Sequence, residues 1–159
     1  MFCNFLSQVK KYKAEIIIFV SVLLLDRITK ILTLKFLLAK GSIALLPFFS
    51  FTYVENTGSA FGLFQNANLA LLIVNLFVLF LMYKWRRDIL NLGIFARYGY
   101  LLIFSGALGN IYDRIVLGYV VDFLDFRIWP VFNIADSAIC VGAALICLAI
   151  LKEGKGKNK

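Results

Sequence analysis

Long apolar runs alternate with short polar segments along this chain, and the runs define its main elements. A run of roughly 20 apolar residues can cross a bilayer as one helix, so each run is a candidate membrane helix. The pattern predicts an all-α membrane protein with four transmembrane helices, forming a single integral membrane domain over residues 1–159. The predicted spans cover about residues 15–38, 67–85, 97–112 and 133–151.

The segment between the first two spans follows a different pattern. Glycines and a proline interrupt residues 39–66, and from Phe49 to Glu55 the residues alternate as in a strand. A period of two predicts β structure. We therefore expect a small β-rich element over 39–66 that lies on the membrane surface, with its aromatic side chains at the level of the lipid headgroups.

Composition supports the membrane class and excludes several kinds of chemistry. The chain is 62% hydrophobic and carries a formal charge of +8, which leaves too little polar surface for a soluble domain. Its positive charges cluster between apolar runs, so they indicate membrane topology rather than nucleic-acid binding. There is no histidine, which excludes Ser-His and Cys-His catalysis and most transition-metal sites. We expect no metal, no cofactor and no nucleic-acid partner.

Basic residues mark one side of the membrane. Three lysines precede the first span, four Lys or Arg residues lie within 84–97, and four lysines lie in the tail KEGKGKNK, which we expect to be disordered. The positive-inside rule places these segments, and both termini, in the cytoplasm. The polar residues whose burial in a membrane is energetically costly then lie near the outer face, which indicates a functional site. They are Asp26, Lys30, Asn56, Asn110, Asp113, Asp122, Asn133 and Asp136.

Two aspartates are the strongest candidates for catalysis. Asp122 lies in the apolar stretch VVDF, and Asp136 lies where the last span begins; neither has an adjacent cation. Burial among apolar residues should raise the pKa of Asp122, and two such carboxylates brought together could share a proton and activate a water molecule. Asp113 ranks below them because Arg114 is beside it and is expected to pair with it.

Neighbouring polar residues could support such a site. Asn110 lies three residues before Asp113, and Asn133 lies three residues before Asp136, so two amides are available to orient a carboxylate or a substrate carbonyl. Asp26 and Lys30 are four residues apart on a helix, where they can form an ion pair. That pair could anchor the helix at the interface or take part in the chemistry.

Three other functions stay open on these residues alone. A Ser-Lys hydrolase would use Lys30 as the base and Ser59, Ser105 or Ser137 as the nucleophile, and no spacing selects among them. A transporter would carry protons or ions on the acids, although repeats are absent and the polar residues cluster on one side. An assembly protein would use Asp136 only as a stabilising charge at a helix N-terminus.

Five motifs occur in order along the chain: DRITK, NTGSAFG, GALGNIYDR, VVDF and FNIADS. In this order, on a four-span chain of this length, they resemble the bacterial lipoprotein signal peptidase, or signal peptidase II, family. The resemblance runs from Asp26 to Gly142, and its one departure is a short connection between VVDF and FNIADS. It implies that Asp122 and Asp136 form a catalytic dyad. It also implies that the other motif residues contact the substrate or support the site: Asp26, Lys30, Asn56, Gly58, Gly106, Gly109, Asn110, Asp113, Arg114, Asn133 and Ala135.

The resemblance implies an aspartic endopeptidase in the bacterial cytoplasmic (inner) membrane, with its active site near the outer leaflet. Its substrate would be a diacylglyceryl-modified prolipoprotein, cut just before the lipidated cysteine to release the signal peptide. The expected partners are this substrate and membrane lipids, and the chain is expected to be a monomer. The small residues of SGALGN would let the signal peptide pack closely, and residues 39–66 would cover the bound substrate.

Overall fold

The structure is a computed structural model that describes residues 2–58 and 67–157. Helices form most of this part of the chain, and three strands form one small sheet. The end of the predicted 39–66 element, with much of the NTGSAFG motif, lies outside the described residues. In chain order the elements are α1 (Phe2–Leu37), β1 (Ser42–Leu46), β2 (Phe49–Asn56), α2 (Asn68–Lys84), α3 (Arg86–Asn91), α4 (Ile94–Val116), β3 (Val120–Asp125) and α5 (Ile134–Lys157).

Each of the four predicted spans coincides with one long helix, and most of these helices extend past the predicted ends. The helix α1 already begins at Phe2, and α5 continues to Lys157, so the prediction of a disordered tail is wrong up to that residue. The tail has no proline to stop the helix, and lysines near a helix C-terminus are stabilised by the helix dipole. By length and composition, Ile134–Gly154 is the one helix of the described residues that qualifies as a membrane span, and Asn68–Lys84 is apolar but shorter.

Glycines set the distance between α4 and α5. A Cβ atom on Gly99 would lie 2.5 Å from the carbonyl oxygen of Gly142, and one on Gly142 would lie 2.6 Å from that of Gly99. About two helical turns further along α4, a Cβ on Gly106 would lie 2.4 Å from the carbonyl oxygen of Ala135. These distances are shorter than any ordinary contact, so the two backbones touch only because the side chains are missing.

The small residues of α4 therefore face other helices of this chain. Gly106 faces Ala135 of α5, and a Cβ on Gly109 would lie 2.6 Å from a carboxylate oxygen of Asp26 in α1. The expectation that a signal peptide packs against this stripe is wrong for these glycines, because α5 and α1 already occupy the space. Their effect is to draw α1, α4 and α5 together at the level of the polar residues.

The sheet has the order β1-β2-β3, and both pairs are antiparallel. The predicted strand from Phe49 is confirmed as β2, whereas β3 was not predicted, because VVDFLD is short and does not alternate. In the β2–β3 register, Val54 lies opposite Asp122 and Asn56 lies opposite Val120. This register brings the carboxylate of Asp122 within reach of the last residue of β2.

Candidate active site

Asp122 is held on β3 by two asparagine amides. Asn56 donates from Nδ2 to Oδ2 of Asp122 at 2.8 Å, and Asn133 donates from Nδ2 to Oδ1 at 2.6 Å. The residue is only 1% exposed. Burial, and then the nearby charge of Asp136, raise the pKa of Asp122 to about 7, although both amide hydrogen bonds oppose the rise. The carboxyl group is therefore poised to exchange a proton near neutral pH.

Asp136 lies in the first turn of α5, where it forms a capping box with Asn133. The backbone N–H of Asp136 donates to Oδ1 of Asn133 at 2.8 Å, and the backbone N–H of Asn133 donates to Oδ2 of Asp136 at 3.2 Å. This reciprocal arrangement satisfies two backbone donors at a helix start. Asn110 of α4 donates from Nδ2 to the other oxygen, Oδ1, at 2.8 Å. Asp136 thus both starts the helix and faces the site.

Asn133 joins the two acids into one cluster. Its Nδ2 donates to Asp122, while its Oδ1 and backbone N–H bind Asp136. The same Nδ2 lies 3.2 Å from Oδ1 of Asn110, and the side chain is fully buried. Asn133 therefore contacts residues of β3, α4 and α5. These contacts bring together the two aspartates that the sequence favoured.

A buried ionic cluster lies beside this pair. Lys30 contacts Oδ2 of Asp26 at 2.9 Å, Oδ2 of Asp113 at 2.8 Å and Oδ1 of Asn110 at 3.0 Å. Oδ1 of Asp26 accepts the backbone N–H of Ala135 at 3.0 Å, which ties α1 to the start of α5. The predicted pair of Asp26 and Lys30 is confirmed, and it belongs to a larger group.

The expected pairing of Asp113 with Arg114 is wrong. Asp113 binds Lys30 and Arg27 of α1, and its Oδ2 also accepts the backbone N–H of Val121 at 3.4 Å. Adjacent residues on a helix point in different directions, so Arg114 faces away from Asp113. Arg27 was not predicted as a site residue. No short-range pattern would reveal it, because its partner lies 86 residues away.

Arg114 lies within electrostatic reach of Asp122 and Asp136 but forms no ion pair with either in the described part of the chain. Its Nε is buried and has no hydrogen-bond partner among the described residues. The charges of Asp136 and Asp122 act on its guanidinium more strongly than that of Asp113. A buried donor without a partner is costly, so this atom is available to a ligand.

Gly58 and Asn56 form a small turn at the end of β2. The backbone N–H of Gly58 donates to Oδ1 of Asn56 at 3.0 Å. That contact fixes the orientation of the amide, so its Nδ2 points to Asp122. All the site residues that the resemblance implies thus lie in the described part of the chain, at or next to the cluster around Asn133.

A Ser-Lys site does not form among the described residues. The hydroxyl of Ser105 donates to the Leu101 carbonyl at 2.8 Å, and that of Ser137 donates to the Asn133 carbonyl at 2.9 Å. Lys30 binds two carboxylates and an amide instead of a serine. Ser59 lies outside the described residues. Over the ranges 2–58 and 67–157, no group of three or more His, Cys, Asp or Glu side chains is placed to hold a metal ion.

Comparison with known sequences identifies the family. The sequence model of the signal peptidase (SPase) II family matches residues 18–152. The chain belongs to the signal peptidase II family. Among its relatives, the lipoprotein signal peptidase of Thermodesulfovibrio yellowstonii is 46% identical over 152 residues, which cover 92% of this chain and 99% of the relative. The lipoprotein signal peptidase of Clostridium novyi is 41% identical over 151 residues, which cover 89% of this chain and 99% of the relative.

Solved structures agree with the sequence comparison. A bacterial membrane enzyme determined by the in meso method at 2.3 Å superposes with a TM-score of 0.80 at 33% identity, covering 91% of this chain and 92% of the other. The resemblance to signal peptidase II is therefore confirmed, and with it a membrane location. Because the family is one of peptidases, the transporter and assembly functions are set aside.

Proposed function

We propose that this member of the signal peptidase II family is an intramembrane aspartic endopeptidase whose catalytic dyad is Asp122 and Asp136. Its substrate is a diacylglyceryl-modified prolipoprotein, which it cuts just before the lipidated cysteine. The observation that carries the proposal is that Asn133 binds both carboxylates: its Nδ2 donates to Asp122, and its backbone N–H donates to Asp136. Two acids joined in this way can hold one water molecule and one proton between them.

The reaction then follows the chemistry of a carboxylate pair. The ionised carboxylate takes a proton from water, and the water oxygen forms a bond to the peptide carbonyl carbon. The protonated carboxyl group donates to the carbonyl oxygen, so the negative charge of the intermediate is neutralised. The carbon–nitrogen bond then breaks. The leaving amine of the cysteine receives the proton that the first carboxylate took from water, and the second carboxylate takes a proton back from a hydroxyl of the intermediate, which restores the pair. A pKa of about 7 for Asp122 supports this mechanism, because the group is close to half protonated near neutral pH.

The supporting residues divide into two groups by their contacts. Asn56, Asn110 and Asn133 all direct Nδ2 at a catalytic carboxylate, which supports a role in orienting the dyad. Arg114 has a buried Nε without a partner in the described residues, which supports a contact with a substrate carbonyl. Gly58 holds the turn that orients Asn56.

The remaining predicted residues would keep this site assembled. Gly106, Gly109 and Ala135 allow the close approach of α1, α4 and α5, and Asp26, Lys30 and Asp113 link the same helices through charges. A site built on packed helices is more precise than one built on loops.

For the membrane arrangement, we propose four transmembrane helices in α1, α2, α4 and α5, with both termini in the cytoplasm. The dyad then lies near the outer leaflet of the bacterial cytoplasmic (inner) membrane, and the sheet lies on the outer surface. Basic residues packed on aromatic rings at the α2–α3 junction support this orientation: Arg86 lies 4.7 Å from the ring centroid of Tyr83, and Lys84 lies 5.5 Å from that of Trp85. Such pairs are typical of a cytoplasmic interface. The enzyme works as a monomer surrounded by membrane lipids.

A cleavage assay tests the proposal. Purified wild type is incubated with a synthetic precursor peptide that carries a diacylglyceryl cysteine, and the products are separated by mass. Asp122→Asn and Asp136→Asn should each abolish cleavage without lowering the unfolding temperature below that of the wild type. Asp125→Asn is the matched control: it lies on the same strand, binds Thr52 and Arg127, and should retain activity. Cleavage by either dyad variant would rule out the assignment.

A second substrate tests the lipid requirement. The same peptide with an unmodified cysteine should be cut far more slowly. Equal rates on the two peptides would remove the diacylglyceryl group from the proposed specificity and leave the dyad assignment intact.

A further inference from the structure

We propose that Lys30 is a positioning residue for the dyad: its ammonium group fixes the amide of Asn110, and that amide fixes the carboxylate of Asp136. This inference rests on the proposed function. It adds a role for a residue that touches neither catalytic carboxylate.

The Asn110 amide has only one favourable orientation. Its Oδ1 accepts from Nζ of Lys30 at 3.0 Å and from Nδ2 of Asn133 at 3.2 Å, while its Nδ2 donates to Oδ1 of Asp136 at 2.8 Å. If the amide turned over, its NH₂ group would face an ammonium donor and its oxygen would face a carboxylate. Lys30 therefore orients the Asn110 donor towards Asp136.

Lys30 is enclosed by its partners and closed off from a substrate. Its Nζ donates to Oδ1 of Asn110 and lies 2.9 Å from Oδ2 of Asp26 and 2.8 Å from Oδ2 of Asp113. The side chain is only 1% exposed. Its remaining influence on the reaction passes through Asn110 and through its charge, which favours the ionised form of Asp122.

Arg27 provides a natural comparison. It also pairs with Asp113, and its guanidinium lies 4.5 Å from the ring centroid of Tyr112. Its side chain is 30% exposed, however, and it does not bond to Asn110. Loss of Arg27 thus removes a cation from the same ionic cluster while it leaves the path to Asp136 intact.

The test compares kinetics, pH profile and stability in four variants. Lys30→Met should lower kcat by about 100-fold with little change in KM, as expected when a reacting group is misplaced. The acidic limb of kcat/KM should move to higher pH, because the cation that favours ionised Asp122 is gone. Asn110→Ala should show a similar loss of kcat. The double variant Lys30→Met/Asn110→Ala should have a kcat no lower than that of the less active single variant, because both residues act on Asp136 along one path. Arg27→Met should lower the unfolding temperature, reduce kcat far less than Lys30→Met does, and leave the acidic limb in place.

A charge-balanced variant separates positioning from folding. Lys30→Met alone leaves two buried carboxylates short of a cation, whereas Lys30→Met/Asp26→Asn removes one charge of each sign. An asparagine at position 26 can still accept the Ala135 N–H through its oxygen. We expect this double variant to unfold near the wild-type temperature and still to show the loss of kcat.

Three results would overturn the inference. The first is a wild-type kcat in the folded charge-balanced variant. The second is a loss of kcat in Lys30→Met/Asn110→Ala equal to the product of the two single losses. The third is a shift of the acidic limb in Arg27→Met as large as that in Lys30→Met. Failure of this inference is distinguishable from failure of the dyad, because Asp122→Asn and Asp136→Asn are assayed on the same peptide. If those two variants are inactive and Lys30→Met is not, only the role of Lys30 is lost.

Discussion

Nδ2 of Asn133 lies 2.6 Å from Oδ1 of Asp122, while Oδ1 of the same asparagine accepts the backbone N–H of Asp136 and so caps the helix that carries it. One residue therefore performs a structural task with its Oδ1 and a chemical task with its Nδ2. The two tasks can be separated by substitution, because a helix cap needs only an oxygen close to the backbone, whereas the contact with Asp122 needs a donor of the length of asparagine.

Two substitutions of Asn133 should show this separation. Asn133→Ala removes both contacts, so it should lower the free energy of unfolding by about 1 kcal/mol, as for a lost helix cap, and reduce kcat strongly. Asn133→Ser keeps a capping oxygen but does not reach Asp122, so it should retain stability and lose activity to a similar extent. Thermal unfolding and peptide cleavage are measured on the same samples. Full activity in Asn133→Ser would contradict a role for this amide in orienting Asp122.

The raised pKa of Asp122 predicts how stability depends on pH. In the unfolded chain this carboxyl group ionises near its ordinary pKa of 3.8, whereas in the folded protein it ionises at about 7. Between these values the folded state binds more protons than the unfolded state, so the wild type should lose stability as pH rises from about 4 to about 7. Asp122→Asn has no such group. Its unfolding temperature should therefore rise relative to that of the wild type as pH increases across this window. At higher pH the difference should stay constant.

The measurement is the difference in unfolding temperature between the wild type and Asp122→Asn at several pH values across this window. A difference between the wild type and Asp122→Asn that does not change with pH would mean that Asp122 ionises as it does in the unfolded chain.

The contact between α4 and α5 predicts a steric effect. Gly106→Ala would place a Cβ 2.4 Å from the Ala135 carbonyl oxygen, so the helices must move apart. We expect a cost of about 1–3 kcal/mol in the free energy of unfolding, typical of overpacking, and a lower kcat because Asn110 and Asp136 separate. Gly154→Ala is the matched control, since no atom lies within 4 Å of its added Cβ. Equal stability of the two variants would show that the helices do not meet at Gly106.

Cysteine labelling tests the membrane orientation. In a background without the three native cysteines, Ile128→Cys lies in the β3–α5 connection at a position that is 93% exposed, and Asp88→Cys lies on the exposed surface of α3. A membrane-impermeant maleimide added to intact cells without an outer membrane should label Ile128→Cys and leave Asp88→Cys unlabelled until the cells are permeabilised. The reverse pattern would invert the proposed topology.

Local patterns predicted the parts of this structure that depend on neighbours in the sequence. Alternation identified β2, helical spacing identified the ion pair of Asp26 with Lys30, and the interval of three residues between Asn133 and Asp136 pointed to their contact. Each of these relationships lies within one element or at the start of one. The apolar runs likewise located the long helices, because a run of that length has few other stable conformations in a membrane.

Relationships between distant elements were beyond these patterns. The strand β3 forms because β2 offers it a partner, and its own six residues do not alternate. The pairing of Arg27 with Asp113 and of Lys30 with Asn110 depends on how α1 crosses α4. Arg114 was assigned to Asp113 because the two are adjacent, and helix geometry turns them apart. The resemblance to the family named the site residues, but the contacts that connect them appear only in three dimensions.

The order of the elements along the chain has a consequence for biosynthesis. Asp122 is supplied by β3, and its proposed partner Asp136 is supplied by α5, which is translated after β3. On the proposed dyad, a nascent chain that has inserted α1, α2 and α4 but not α5 lacks Asp136. Proteolytic activity should thus arise abruptly when α5 enters the membrane, so that chains arrested before α5 are harmless to the lipoproteins around them.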